Sequence, residues 1–123
     1  MSDSPILSGA DILGANDITE KLLPVDVPEW GGTVLIRKLP CTDRDAFILK
    51  AKDKDVKPTA TLAWLLTRAL VDKDGVLLFG TADAAKLASK SGEVVERVGS
   101  QVIKHNKLTG EEDAKAVGEP DAA

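Results

Sequence analysis

The sequence has very few of the residues that build metal sites and disulfides. Its 123 residues include a single cysteine and a single histidine. That pair is too small for the ligand set of a structural zinc site, and one thiol cannot form an intrachain disulfide. The chain also lacks a Gly-Lys-Ser/Thr phosphate loop and a paired nucleophile and base. The sequence therefore predicts a protein with no enzyme activity, no cofactor and no metal.

Aromatic side chains and positive charge are scarce as well. Aromatics make up 3% of the chain, tyrosine is absent, and the formal net charge is −4 at pH 7. Nucleic-acid-binding proteins rely on basic surfaces and aromatic stacking platforms, so we expect no nucleic-acid partner. No apolar run approaches the ~20 residues of a membrane span, and residues 1–5 have no basic leader region. We expect a cytoplasmic protein that does not associate with membranes.

The chain does contain enough apolar residues for one hydrophobic core. Hydrophobic residues account for 43% of the chain and charged residues for 29%, which suits a single domain of this length. We assign residues 1–108 to this domain, with residues 1–8 as a loose N-terminus. Residues 109–123 are mainly Gly, Glu, Asp, Ala and Pro. They should form a disordered acidic tail, because they contain too little apolar surface to offset the entropy of ordering.

Two short stretches alternate apolar with polar residues, which is typical of strands. The first contains Leu23, Val25 and Val27, and the second contains Val34 and Ile36. The Pro-Glu-Trp-Gly-Gly segment between them ends the first strand and allows positive φ in the turn, so the pattern predicts a β-hairpin. The proline inside the first strand lacks an N–H and should lie at an open edge of the sheet. A lone hairpin is marginally stable in water, so this one must pack on other elements.

Helical periodicity dominates the rest of the chain. A sequence resembling a capping box, with Asp in place of Glu, begins a short helix at Thr42. The strongest apolar stripe opens near Thr59 or Thr61, and further helices begin near Thr81 and Ser91. The two main stripes contain the following residues: Leu62, Leu65, Leu66, Ala69, Leu70, Val94, Val95, Val98, Val102 and Ile103.

Two segments fit more than one local structure. Residues 76–79 could form a strand or a tight loop that folds back onto the preceding helix. Ser8 could cap a short turn, with Ile12 and Leu13 as its apolar contacts. Together the elements predict an α+β fold in which an N-terminal β-hairpin packs on a bundle of three to four helices.

The lone cysteine and histidine both have structural interpretations. Cys41 lies near a helix N-terminus, a position that lowers thiol pKa values, but a partly buried and inert thiol is the commoner state. His105 falls in the last turn of a helix, where a cation interacts favourably with the helix dipole, and we expect it at the surface.

Large apolar residues at unusual positions are the candidates for protein binding. Trp30 lies in a turn, where its ring either seals a small core under the hairpin or is an exposed anchor for a partner. Trp64 lies about 160° from the middle of its helix stripe, so it is either buried on a second side or faces a partner. Leu77, Leu78 and Phe79 are three consecutive large apolar residues. A place in the core is the first interpretation for them, and a place in an interface is the second. We take all five as candidate protein-binding residues.

The order of several motifs resembles the small tail assembly chaperones of long-tailed (siphovirus-type) phages and prophages. Residues 27–34 resemble the hairpin of that family, in which a Pro-Glu-Trp-Gly-Gly-like turn precedes an alternating strand and a polar-acidic helix start. Residues 68–75 and the following Leu78-Phe79 resemble its central helix and Asp-Gly turn. Lys90-Ser91 and residues 105–108 resemble the two flanks of its final helix. The resemblance extends from about Asp11 to Leu108.

This resemblance implies an α+β fold and a role in tail building. The family binds the tape measure protein, a long helical chain that sets tail length, and keeps it soluble while tube subunits assemble. In many members a programmed frameshift adds a C-terminal extension that recruits the tail tube protein. The resemblance thus implies a chaperone of the host bacterial cytoplasm, absent from the mature virion, with self-association as a further expectation. The alternative is a structural head–tail connector or tail terminator subunit retained in the virion.

Overall fold

A three-stranded antiparallel sheet and five α-helices make up the part of the chain that the computed structural model describes, residues 4–108. The predicted disordered tail, residues 109–123, lies outside this range. The elements follow one another in this order: α1 (Gly9–Gly14), β1 (Leu23–Val27), β2 (Gly32–Ile36), α2 (Cys41–Lys52), α3 (Pro58–Ala69), β3 (Leu70–Val71), α4 (Ala84–Leu87) and α5 (Gly92–Asn106). Short 3-10 turns, Pro28–Trp30 and Thr81–Asp83, lie between β1 and β2 and before α4.

The predicted hairpin is confirmed. Strands β1 and β2 pair antiparallel with Val25 opposite Val34. The Pro28–Trp30 turn joins them, and Gly31 takes a φ of 83°, a left-handed conformation that glycine adopts without strain. Strand β1 is an outer strand of the described sheet, so Pro24 lies on an edge strand as expected.

A third strand follows α3 where the sequence predicted more helix. Leu70 belongs to β3 and pairs with Ile36, so its placement on the helical stripe was wrong. The helix ends at Ala69, whose carbonyl oxygen accepts a hydrogen bond from the Arg37 amide at 3.1 Å. Pairing with the free edge of β2 therefore outweighs the helical pattern. Of the two structures considered for residues 76–79, a strand or a tight loop, the chain adopts the loop. Only a single bridge, between Leu77 and Val71, extends the sheet there.

Helix α3 lies at the centre of the helical layer and packs against α2, α4 and α5. Its approach to α5 is close, because a Cβ added at Gly99 would lie 2.9 Å from a methyl carbon of Leu62. The hairpin packs on α5 through β1. The core is formed by residues from every element except α1, as follows: Val27, Ile36, Leu39, Phe47, Ala63, Leu65, Leu66, Ala69, Leu70, Leu87, Val94, Val95, Val98, Val102 and Leu108. The α+β fold with a hairpin on a helix bundle is therefore confirmed.

One predicted helix start is wrong, and one is right although its predicted contacts are absent. Helix α2 begins at Cys41 after Pro40 and has no side-chain cap, so the predicted capping box at Thr42 is absent. Helix α1 does have the expected Ser8 cap, but it buries no residue. Ile12 and Leu13 are exposed and do not make the apolar contacts that the sequence suggested. Within residues 4–108, no helix combines the length and apolar character that crossing a membrane requires.

Candidate functional site

An open apolar groove lies beside the hairpin, with a volume of about 400 Å³. Elements distant in sequence build it: the 3-10 turn after β1, strands β2 and β3, the loop after β3, and the residues around α4. Its lining consists of Glu29, Trp30, Val34, Leu70, Leu78, Phe79, Leu87 and Lys90. Six of these eight residues are apolar, so the groove suits an apolar occupant more than a polar substrate.

The exposure of the lining changes from the interior of the groove to its rim. Leu70 and Leu87 are buried and belong to the core. Trp30 and Phe79 are half-buried and pack against that core, whereas Leu78 is 48% exposed. The base of the groove is thus part of the hydrophobic core, and an apolar side chain placed in the groove would continue the core outward.

An ion pair holds the turn that carries Trp30. The guanidinium of Arg97 on α5 donates two hydrogen bonds to the Glu29 carboxylate, at 2.6 and 3.0 Å. These hydrogen bonds lower the pKa of Glu29 to about 2, with a smaller contribution from the backbone. Glu29 is therefore ionised at neutral pH, and its ion pair links the turn that contains Trp30 to α5.

The structure brings three of the five predicted binding residues together. Trp30, Leu78 and Phe79 line the groove. Leu77 is not part of the groove lining, is half-buried and bridges to Val71. Trp64 is half-buried on α3 and is not part of the groove lining; the Lys50 ammonium lies 5.2 Å from its ring centroid. A role for these residues in binding stays a prediction.

The position of Trp30 is compatible with both of its interpretations, a ring that seals a small core and an anchor for a partner. Its ring packs against the core, as the sealing role requires, and it also lines the open groove, as an anchor for a partner would. Five members of the lining were not predicted from the sequence: Glu29, Val34, Leu70, Leu87 and Lys90. Val34 was recognised as a strand residue, but its side of the sheet follows only from the tertiary arrangement.

A second polar cluster, formed by Asp43, Arg37 and Arg68, serves the fold rather than the groove. Asp43 accepts hydrogen bonds from Arg37 at 3.1 Å and from Arg68 at 3.2 Å. Burial lowers the pKa of Arg37, and the charge of Asp43 opposes that effect. The nearby Asn106 side chain accepts a hydrogen bond from the Leu39 amide at 2.8 Å. These contacts join the connection between β2 and α2 to α2, α3 and the end of α5.

The lone cysteine and histidine both differ from their predictions. Cys41 is exposed as the first residue of α2, not partly buried. The His105 Nε2 atom is buried and has no hydrogen-bond partner in the described part of the chain. Burial lowers the pKa of His105, with Lys38 acting in the same direction and a hydrogen bond to the Lys21 backbone opposing it. Residues 4–108 contain no group of three or more Cys, His, Asp or Glu arranged to hold a metal ion.

Comparison with solved structures identifies a relative in fold. The chain is similar to the tail assembly chaperone of bacteriophage HK97, with a TM-score of 0.55 and 20% sequence identity. The similarity covers 68% of this chain and 83% of the HK97 protein. No protein-family model matches the sequence, and no curated protein sequence matches it. The chain therefore has the fold of a phage tail assembly chaperone, which confirms the resemblance found in the sequence at the level of the fold.

Proposed function

We propose that this protein is a phage tail assembly chaperone that binds the tape measure protein and keeps it soluble during assembly of the tail tube. The observation that carries the proposal is the apolar groove lined by Trp30, Leu78 and Phe79, on a fold similar to that of the HK97 tail assembly chaperone. Neither feature requires a chemical reaction, and we propose a binding protein rather than an enzyme.

The groove has the properties needed to shield a helix. A long amphipathic helix exposes an apolar stripe that aggregates unless it is covered. Leu78 at the rim and Trp30 in the wall provide the apolar surface on which such a stripe would rest, in the manner of helix-in-groove recognition. The net charge of −4 would help to keep the complex soluble.

The remaining features of the proposal concern partners and location. We propose that the protein comes from a phage or a prophage and acts in the host bacterial cytoplasm. We expect it to be absent from the mature virion. A programmed frameshift would add a C-terminal extension that recruits the tail tube protein. The extension would branch off in the region of residues 110–123, beyond Leu108, whose burial attaches the end of the domain to the core.

Co-expression with an amphipathic segment of the tape measure protein tests the binding role. The wild-type chain should keep that segment soluble and co-purify with it. Leu78→Glu places a charge on the rim without disturbing a fully buried residue, and should weaken capture at least about tenfold, equivalent to about 1.4 kcal/mol. Leu49→Glu is the matched control, because Leu49 is 70% exposed on α2 and is not part of the groove lining.

Two results would overturn this proposal. The first is a wild-type chain that neither binds nor solubilises the tape measure segment. The second is stoichiometric recovery of the protein from purified phage particles by mass spectrometry, which would support the alternative of a head–tail connector or tail terminator. Equal loss of capture in the Leu78 and Leu49 variants would place the binding surface outside the groove.

A further inference from the structure

The N-terminal arm, defined here as residues 4–15, is folded but unpacked. Its helix α1 has a complete capping box: the Ser8 hydroxyl accepts a hydrogen bond from the Asp11 amide, and the Asp11 carboxylate accepts one from the Ser8 amide. No residue of α1 is buried. The chain after the arm is attached to the domain at Ile18, whose carbonyl oxygen accepts a hydrogen bond from the Lys38 amide at 3.0 Å.

The arm exposes more large aliphatic surface than its length would lead one to expect. Ile6 is 96% exposed and Leu13 is 88% exposed, and Leu7 and Ile12 are each 58% exposed. Burying one such side chain stabilises a protein by roughly 1.5–3 kcal/mol. A six-residue helix is also marginal in water without packing. Two of the four exposed aliphatic residues, Ile12 and Leu13, lie on the capped helix, and the other two, Ile6 and Leu7, directly precede its cap. Together they indicate a segment that docks on an apolar surface.

The groove beside the hairpin is the apolar surface that complements this arm. The lining of the groove contains no residue of the arm, so the arm of the same chain leaves it open. Its rim also has a suitable charge. Glu29 is neutralised by Arg97, whereas Lys90 takes part in no ion pair among residues 4–108. The only charge in the arm is that of Asp11, which is opposite in sign to Lys90.

We propose that the groove of one copy is occupied by the N-terminal arm of a second copy, with Ile6, Leu7, Ile12 and Leu13 placed against Trp30, Leu78 and Phe79. The arm is the segment that fits the groove best. It combines unburied aliphatic side chains with an acidic charge, and the groove combines an apolar lining with a basic rim. Two arrangements are possible. In a reciprocal dimer each arm occupies the groove of the partner, and in an open chain of copies every groove is occupied except at one end.

This arrangement would also regulate the groove, a consequence that rests on the proposed function. The arm and the tape measure helix would compete for the same apolar lining. Self-association would then cover the groove until a client helix displaces the arm, so the free chaperone would not expose its own binding surface. Client binding should therefore dissociate the self-associated form.

Sedimentation of the full-length chain over a concentration series tests the contact. The wild type should self-associate, whereas the arm variant Ile6→Ser with Leu13→Ser and the groove variant Leu78→Glu should each remain monomeric at concentrations at least about tenfold higher. Ala10→Ser is the arm control, because it leaves every large aliphatic side chain in place. Leu49→Glu is the control for the groove, and both controls should sediment as the wild type does.

Mixing the two defective variants provides the sharper result. The arm variant retains an intact groove and the groove variant retains an intact arm, so an equimolar mixture should form a heterodimer through one contact. A mixture that stays monomeric overturns the proposal, as does a wild type that is monomeric throughout the concentration series. Self-association of the arm variant at wild-type concentrations would also overturn it.

The client experiment separates this inference from the proposed function. If the tape measure segment binds no form of the chain while the variants behave as expected, the proposed function fails and the arm–groove contact stands. If the segment binds the wild type and the arm variant equally at concentrations where the wild type is associated, competition for the groove is wrong. Tighter binding by the arm variant under those conditions would support it.

Discussion

Helix α1 and the pair formed by α3 and α5 illustrate two different ways of stabilising a helix. Helix α1 has a complete capping box and buries nothing. Helices α3 and α5 have no side-chain caps, yet each buries six residues. Helix α5 even contains four valines, which have lower helix propensity than leucine or alanine. Capping therefore defines where α1 begins, whereas tertiary packing stabilises α3 and α5.

The difference indicates which parts of the chain are free to change partners. The close approach of Leu62 to Gly99 fixes α3 against α5, and separating them would expose fully buried side chains. Helix α1 buries no side chain in its own domain. If it docks on a partner and is released, only the surface that it exposes in the monomer becomes exposed again. The arm can therefore exchange partners without disturbing the core, and the groove it is proposed to occupy lies on the outside of that core.

The largest expected difference in unfolding free energy comes from truncating a leucine to alanine on α3 and on α1. Leu66 on α3 is 0% exposed, and Leu66→Ala should lower the free energy of unfolding by about 2–5 kcal/mol through lost burial and a residual cavity. Leu13→Ala on α1 should change it by less than about 0.5 kcal/mol. Denaturant unfolding of dilute protein measures both. A Leu13→Ala effect comparable with that of Leu66→Ala would mean that α1 packs on its own domain.

Charged residues on α2 should show a smaller version of this contrast. Asp43 lies between Arg37 and Arg68, and Asp43→Ala should cost about 1–3 kcal/mol because it leaves partly buried donors without their acceptor. Asp45 is exposed on the same helix and is the matched control, with an expected change below about 0.5 kcal/mol. Equal denaturation midpoints for the two variants would contradict a structural role for the cluster.

Local patterns in the sequence were sufficient for much of this fold. Alternation at Val25 and Val34 predicted the hairpin, and the stripe from Leu62 to Ala69 predicted the central helix, because both patterns follow directly from backbone periodicity. The end of that helix was not predictable in the same way. Leu70 fits the helical stripe, and only the position of β2 in the folded chain determines that it pairs as a strand.

The candidate groove was predictable only in part, for a related reason. Trp30, Leu78 and Phe79 stood out because large apolar residues are unusual in turns and loops. Val34 and Leu87 look like ordinary strand and helix residues, so the sequence does not distinguish them from the rest of the core. Asp43 was interpreted as part of a capping box, since its charge partners lie on other elements of the fold.

The pH dependence of stability should report on the end of α5. Burial lowers the pKa of His105 from its usual 6.5 in the folded chain. The unfolded chain therefore binds more protons as the pH falls through 6.5, and stability decreases in that direction. Between about pH 7.5 and about pH 5.5, the wild type should lose more unfolding free energy than His105→Gln, which does not titrate. Parallel pH profiles would indicate that His105 titrates normally in the folded protein.

The smallest expected effect on global stability comes from removing the cap of α1. Ser8→Ala should destabilise this helix locally by about 0.5–2 kcal/mol, and amide hydrogen exchange in residues 9–14 should become faster. The free energy of global unfolding should change by less than about 0.5 kcal/mol, because α1 buries nothing in its own domain. If the arm docks as a helix, a local loss of about 1 kcal/mol should weaken self-association about fivefold. Faster exchange with unchanged self-association would mean that the arm docks without its helix, and the capping box would then have no part in the contact.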